Sequence, residues 1–139
     1  MRVVILYPLF ALAAWTFVIL VLIAVRRLGA GFAGRVRAAD FRFGESTRVP
    51  PDVCLPNRNY MNLLELPVLF YVLGLLCYAT SQHSLLQLGL AWAYVGLRVV
   101  HSLIHLSYNN VYHRLAAFAL SNGVLLAAWG LAAAGLPMD

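Results

Sequence analysis

The sequence predicts an all-α integral membrane protein, a four-helix transmembrane bundle. Three observations carry this reading. Of the 139 residues, 63% are hydrophobic and only 11% are charged, against about 45–50% and about 25% in an ordinary soluble domain. The apolar residues are gathered into long, nearly charge-free runs, as membrane spans require. Each connection between runs reverses direction, which suits an antiparallel bundle. Nothing marks a second domain, so residues 1–139 are expected to form one.

The first span is read as 3–25, which carries no charge. Its apolar run exceeds the roughly 7–15 residues of a signal-peptide core, and an Arg pair follows it, so a retained span is expected. Pro8 lies near its start, and Trp15 lies mid-span, where its indole N–H calls for a protein partner. Residues 26–56 read as a polar loop. It holds Arg26, Arg27, Arg35, Arg37, Arg42 and Arg48 against Asp40, Glu45 and Asp52. Gly29, Gly31, Gly34 and Gly44 are expected to break any long helix there, and Pro50-Pro51 to end the segment in extended form. The positive-inside rule makes this loop cytoplasmic.

The second span is read as 62–80, with a start near Asn57 as the alternative. Pro67 inside it is expected to kink the helix and free a carbonyl near Leu63. A tight polar turn, 80–84, leads to the third span, 85–106. Residues 107–114 form the second cytoplasmic connection, and the fourth span is 115–136, rich in Ala and Gly. Both termini are then periplasmic.

The net charge is +5 and every cation is Arg. Most of these flank membrane spans, where they set orientation and meet anionic lipid or ligand, so nucleic acid is not the expected partner. Cys54 and Cys77 fit no metal or redox spacing. Cys77 reads as a small buried hydrophobe and Cys54 as a bystander.

The polar residues converge toward one side of the membrane. Arg58, Asn62 and Glu65, spaced by four and three, share a helix face, as do Arg98, His101 and His105. Arg114 opens the last span. Glu65 is the one carboxylate inside a span, with Arg58 or Arg98 as its obvious partner. Two readings stand: a structural ion pair that sets helix register, or a site for an anionic polar ligand, because three Arg outnumber one carboxylate. His101 and His105 could ligate a metal at i, i+4, but no third ligand is suitably spaced and the Arg neighbours repel a cation, so no metal is expected.

The pattern Arg58-x-x-x-Asn62-x-x-Glu65, followed by Pro67, resembles the second-helix signature of the MAPEG family, the membrane-associated proteins in eicosanoid and glutathione metabolism. Arg98-Val99-Val100-His101, with Arg114 sixteen residues beyond Arg98, is similar to that family's third-helix pattern and its following arginine. The resemblance implies a homotrimer with glutathione sites between subunits that open to the cytoplasm, and the expected setting is the inner membrane of a bacterium. It implies that Arg58, Asn62 and Glu65 hold glutathione, that Arg98 pairs with its carboxylate or with Glu65, that His101 and His105 border it, and that Arg114 sits near the thiol. The thiolate would add to a lipophilic electrophile or reduce a lipid hydroperoxide. The sequence departs from the family at three places. Pro67 follows Glu65 by two residues rather than three or four. His105 stands where several members have Tyr, and Leu115 rather than a hydroxyl residue follows Arg114. The rival readings are a non-catalytic lipid-binding or scaffold member, and an accessory subunit of a larger membrane complex.

Overall fold

The protein is described by a computed structural model over residues 2–82 and 84–136. His83 of the polar turn and residues 137–139 lie outside the described residues. Five α-helices follow a short 3-10 turn at Arg2–Leu6: α1 (Tyr7–Phe32), α2 (Pro51–Leu64), α3 (Pro67–Ala79), α4 (Leu85–Leu106) and α5 (Val111–Ala134). No strand occurs among the described residues. α2 and α3 are two halves of one broken span, so the architecture is a four-helix membrane bundle. Val3–Phe32, Pro51–Ala79 and Val111–Ala134 are each long and apolar enough to cross a membrane. α4 is not among them. Its polar residues Gln87, Arg98, His101, Ser102 and His105 lower its hydropathy, and all five are buried in the bundle.

α1 runs beyond the expected end of its span. Gly29 and Gly31 do not stop it, because an interior Gly costs only about 1 kcal/mol relative to Ala. The helix ends at Gly34, whose φ of +69° is natural for glycine. There the Arg35 N–H donates to the Ala30 carbonyl at 2.8 Å, and the Gly34 N–H to the Gly31 carbonyl at 3.0 Å. This is a Schellman cap. The connection is therefore 33–50 rather than 26–56. Nor does Pro50-Pro51 only close the loop: Pro50 is extended, while Pro51 occupies the first turn of α2, where its missing N–H is harmless.

Pro67 is the first residue of α3 rather than a kink within one helix. α5 likewise begins before its expected start, at Val111. The Asn110 side chain caps it, accepting the N–H groups of Tyr112 at 3.0 Å and His113 at 3.1 Å. Arg114 thus lies in the first turns of α5, not in a loop. α4 covers the expected 85–106, with Ser84 as its cap, accepting the Gln87 N–H at 3.1 Å.

α4 and α5 pack along one another, α1 packs on α2, and α4 also meets α1 and α2. The core holds Leu9, Leu12 and Ile19 of α1, Leu63 of α2, Phe70, Leu73 and Cys77 of α3, Tyr94 and Val95 of α4, and Leu125 and Ala128 of α5. α1 and α3 approach so closely that a methyl at Gly74 would strike the Leu9 side chain. Trp15 packs against this core, but its indole N–H has no partner among the described residues. Outward faces carry Phe10, Phe17, Val21, Val25, Leu69, Val72, Leu120 and Leu126, an apolar surface suited to lipid and not to water.

Candidate ligand-binding cleft

α4 presents a polar buried face because Arg98, His101, Ser102 and His105 recur at helical spacing on its inner side. Arg98 is 0% exposed. Its Nη2 donates to the main-chain carbonyl of Asn62. That carbonyl is available because the chain breaks there. In a continuous helix the Leu66 N–H would bond Asn62, but Pro67 cannot extend the helix past the Leu63 carbonyl. The backbone turns away at Glu65 (ψ −103°), and no backbone N–H among the described residues reaches the Asn62 carbonyl. The guanidinium also lies 5.6 Å from the Phe118 ring centroid, a cation–π distance. Its Nε and Nη1 have no hydrogen-bond partner among the described residues.

One turn on, the Ser102 hydroxyl and the Asn59 Oδ1 meet at 3.1 Å, tying α4 to α2. The His101 and His105 rings stand edge-on, 5.9 Å apart, and His101 is 5.8 Å from the Phe118 ring. Both imidazoles have a buried Nδ1 without a partner among the described residues. Arg114 Nη1 donates to Asn109 Oδ1 at 2.7 Å, which fixes the guanidinium at the start of α5.

These groups bound a cleft of about 590 Å³ between α2, the end of α4 and the start of α5. That size suits a small-molecule ligand. Arg58, Asn62, His101, His105, Asn109, Arg114 and Phe118 are in its lining, which contains no carboxylate and no hydroxyl group. Two guanidinium groups with no ion-pair partner among the described residues line it beside imidazole and amide groups, side chains that can donate to an anion.

A family model described as MAPEG family matches residues 5–134. The chain belongs to the MAPEG family. The match spans the described helices almost from end to end, and membership supports, in general, a membrane function of the glutathione-transferase or eicosanoid type. No curated protein and no solved structure matches the chain significantly.

In this MAPEG protein the cleft gathers Arg58, Asn62, His101, His105 and Arg114, with Arg98 buried behind it. Glu65 stands apart. It is exposed at the helix break, does not line the cleft, and makes no ion pair within 4 Å among the described residues. The pairing with Arg58 or Arg98 is not formed: the Glu65 N–H still bonds the Met61 carbonyl, so Glu65 keeps the helical phase of Arg58 and Asn62, and that face turns away from the interior of the bundle. The inward face of α2 is instead Val53, Pro56, Asn59 and Leu63. Arg58 is exposed and Asn62 half-buried, its amide donating back to the Arg58 carbonyl at 3.0 Å.

Asn59 and Ser102 belong to the site's support, and spacing alone does not single them out. The signal for Asn59 is its place in the Val53–Pro56–Asn59–Leu63 period, legible only once the helix is extended back to Pro51. Cys54 packs in a small cluster with Ala30, Val36, Val49 and Val53, its thiol 3.6 Å from the Val49 carbonyl. Among the described residues no group of three His, Cys, Asp or Glu side chains is placed to hold a metal.

Proposed function

We propose that the protein is a membrane-bound, glutathione transferase-like enzyme that joins glutathione to lipophilic electrophiles or reduces lipid hydroperoxides. The observation that supports this best is the carboxylate-free cleft lined by Arg58 and Arg114, with a third guanidinium, Arg98, buried behind it. Glutathione carries two carboxylates and a thiol, which answers that charge. Arg58 and Asn62 hold its charged and amide groups, and Arg98 favours a carboxylate that reaches the helix break. His101 and His105 supply imidazole donors. Glu65, exposed beside the break, takes part only if the peptide or a neighbouring copy reaches it.

Arg114 sits nearest the thiol. A free thiol has a pKa near ~8.5, and only the thiolate is a strong nucleophile. A fixed guanidinium beside sulfur favours the thiolate. Sulfur then bonds to the electrophilic carbon, the leaving group departs with its electron pair, and the thiol proton passes to water. With a hydroperoxide, two thiols give a disulfide, an alcohol and water.

The protein acts as a homotrimer in an inner membrane, with periplasmic termini and the cleft toward the cytoplasm. Exposed Arg58 and Glu65 near membrane depth support a covering copy, since charge facing lipid is costly. The Arg-rich 33–50 connection supports the orientation.

A second reading, a non-catalytic lipid-binding or scaffold protein, is favoured by the absence of any hydroxyl in the cleft to assist the thiol. Glutathione-dependent turnover by purified protein over a broad electrophile panel separates the two. Conjugate formation above the uncatalysed rate is expected, and binding without turnover would support the scaffold.

A further inference from the structure

The 33–50 connection is a folded element. Asp40 accepts the Arg37 N–H at 2.9 Å and the Ser46 hydroxyl at 3.1 Å. These bonds, with Arg48 and Arg37 nearby, hold its carboxyl below the usual carboxylate range. Arg27 pairs with Glu45 at 3.0 Å and stacks 4.7 Å from the Phe41 ring centroid. Arg35 grips Asp52 through two bonds of 3.1 and 2.6 Å. Val36 and Val49 pack against Ala30 and Val53.

This folding occupies Asp40, Glu45 and Asp52, the acidic residues that oppose six Arg between positions 26 and 48. Arg26, Arg37, Arg42 and Arg48 are exposed and form no ion pair among the described residues. Phe43 is 92% exposed, with the Arg42 guanidinium 5.2 Å from its ring centroid. Phe32, at the end of α1, is 91% exposed, and the outward flank Val21, Val25, Leu28 leads directly to it.

We propose that Arg26, Arg37, Arg42, Arg48 and Phe43 form a docking surface for the anionic phospholipid headgroups of the surrounding bilayer. Guanidinium groups chelate phosphate through paired N–H donors. Arg near an anionic leaflet is drawn to it, and the attraction weakens with salt. An exposed aromatic ring among cations enters the boundary between headgroups and acyl chains. Because the internal ion pairs already order the loop, docking does not require it to fold. Arg26 and Phe32 lie on the membrane helix itself, which makes the surface continuous with the lipid contact of α1.

The test uses the full chain carrying Cys54→Ser and Phe43→Cys, with a nitroxide on the new thiol and Cys77 left buried. The protein is placed in nanodiscs of phosphatidylcholine alone or with one third phosphatidylglycerol. Docking predicts that collision with oxygen rises and collision with a water-soluble nickel chelate falls, about twofold, when phosphatidylglycerol is present. High salt reverses the change, and so does combining Arg37→Gln, Arg42→Gln and Arg48→Gln. Circular dichroism checks that the helices persist. Water-like accessibility in both lipids would overturn the proposal. So would a label shielded from both reagents in either lipid, which would mean cover by another protein copy, or an equal shift on adding soluble glycerophosphate.

Discussion

The buried guanidinium of Arg98 donates to the main-chain carbonyl of Asn62. This bond joins the middle of α4 to the point where α2 stops, where the backbone turn at Glu65 keeps the Leu66 N–H from that carbonyl. The helix break therefore turns a backbone defect into an acceptor for a charge at the back of the cleft. Arg98→Met keeps much of the side-chain volume but leaves the carbonyl without a donor. An unsatisfied buried group costs about 1–3 kcal/mol. Thermal unfolding in detergent is expected to shift down accordingly, with glutathione affinity reduced as well. Unchanged stability and affinity would mean that Arg98 supports neither the break nor the ligand.

The end of α1 gives a paired prediction. Gly34 has φ +69°, so Gly34→Ala strains the cap and is expected to lose about 1 kcal/mol. Gly31 lies within the helix, and a methyl placed there would meet only open space. Gly31→Ala is expected to gain up to about 1 kcal/mol. Unfolding midpoints of the two variants should move in opposite directions.

That contrast shows where the sequence is legible and where it is not. α4 can be bounded at 85–106 because Ser84 caps it and a polar face recurs every three or four residues. The end of α1 is harder to read, because two tolerated glycines precede the one that adopts the left-handed conformation. The start of α2 is hidden by its polar residues Asp52, Asn57, Arg58 and Asn59, although Pro51 is a helix-start signal. At the site, i, i+3 and i, i+4 spacing groups Arg58 with Asn62 and His101 with His105, while Arg114 is placed by its position at the start of the last span. It fails for Glu65, since spacing gives a shared helix face but neither the direction in which that face points nor how far along it the cleft extends. It also passes over Asn59, whose inward direction shows only in the Val53–Pro56–Asn59–Leu63 series once α2 is seen to begin at Pro51.

Arg114→Ala is expected to abolish most conjugation, by about tenfold or more, through loss of thiolate stabilisation. Folding should survive, because the residue sits at the helix start, where its bond is to Asn109. Arg114→Lys should recover activity only in part, since an ammonium cannot reproduce the planar fork. The readouts are kcat and the pH dependence of kcat/KM; an unchanged kcat would dissociate Arg114 from the chemistry.

Glu65→Gln is expected to leave turnover at saturating glutathione unchanged, because the carboxylate is outside the cleft. Any effect should fall on KM or on assembly between copies. Steady-state kinetics alongside size measurement in mild detergent would decide, and a fall in kcat at unchanged KM would require Glu65 to contact the reacting groups.

The central claim is that guanidinium groups from α2 and α5 share a cleft whose negative partner is a small thiol peptide. Calorimetric titration of glutathione into the purified protein in nanodiscs tests it most directly, comparing the natural chain with Arg58→Ala/Arg114→Ala. Saturable binding is predicted, weakening with added salt and falling by about tenfold or more in the double variant. Absence of binding to the natural chain, or equal affinity in both proteins, would contradict it.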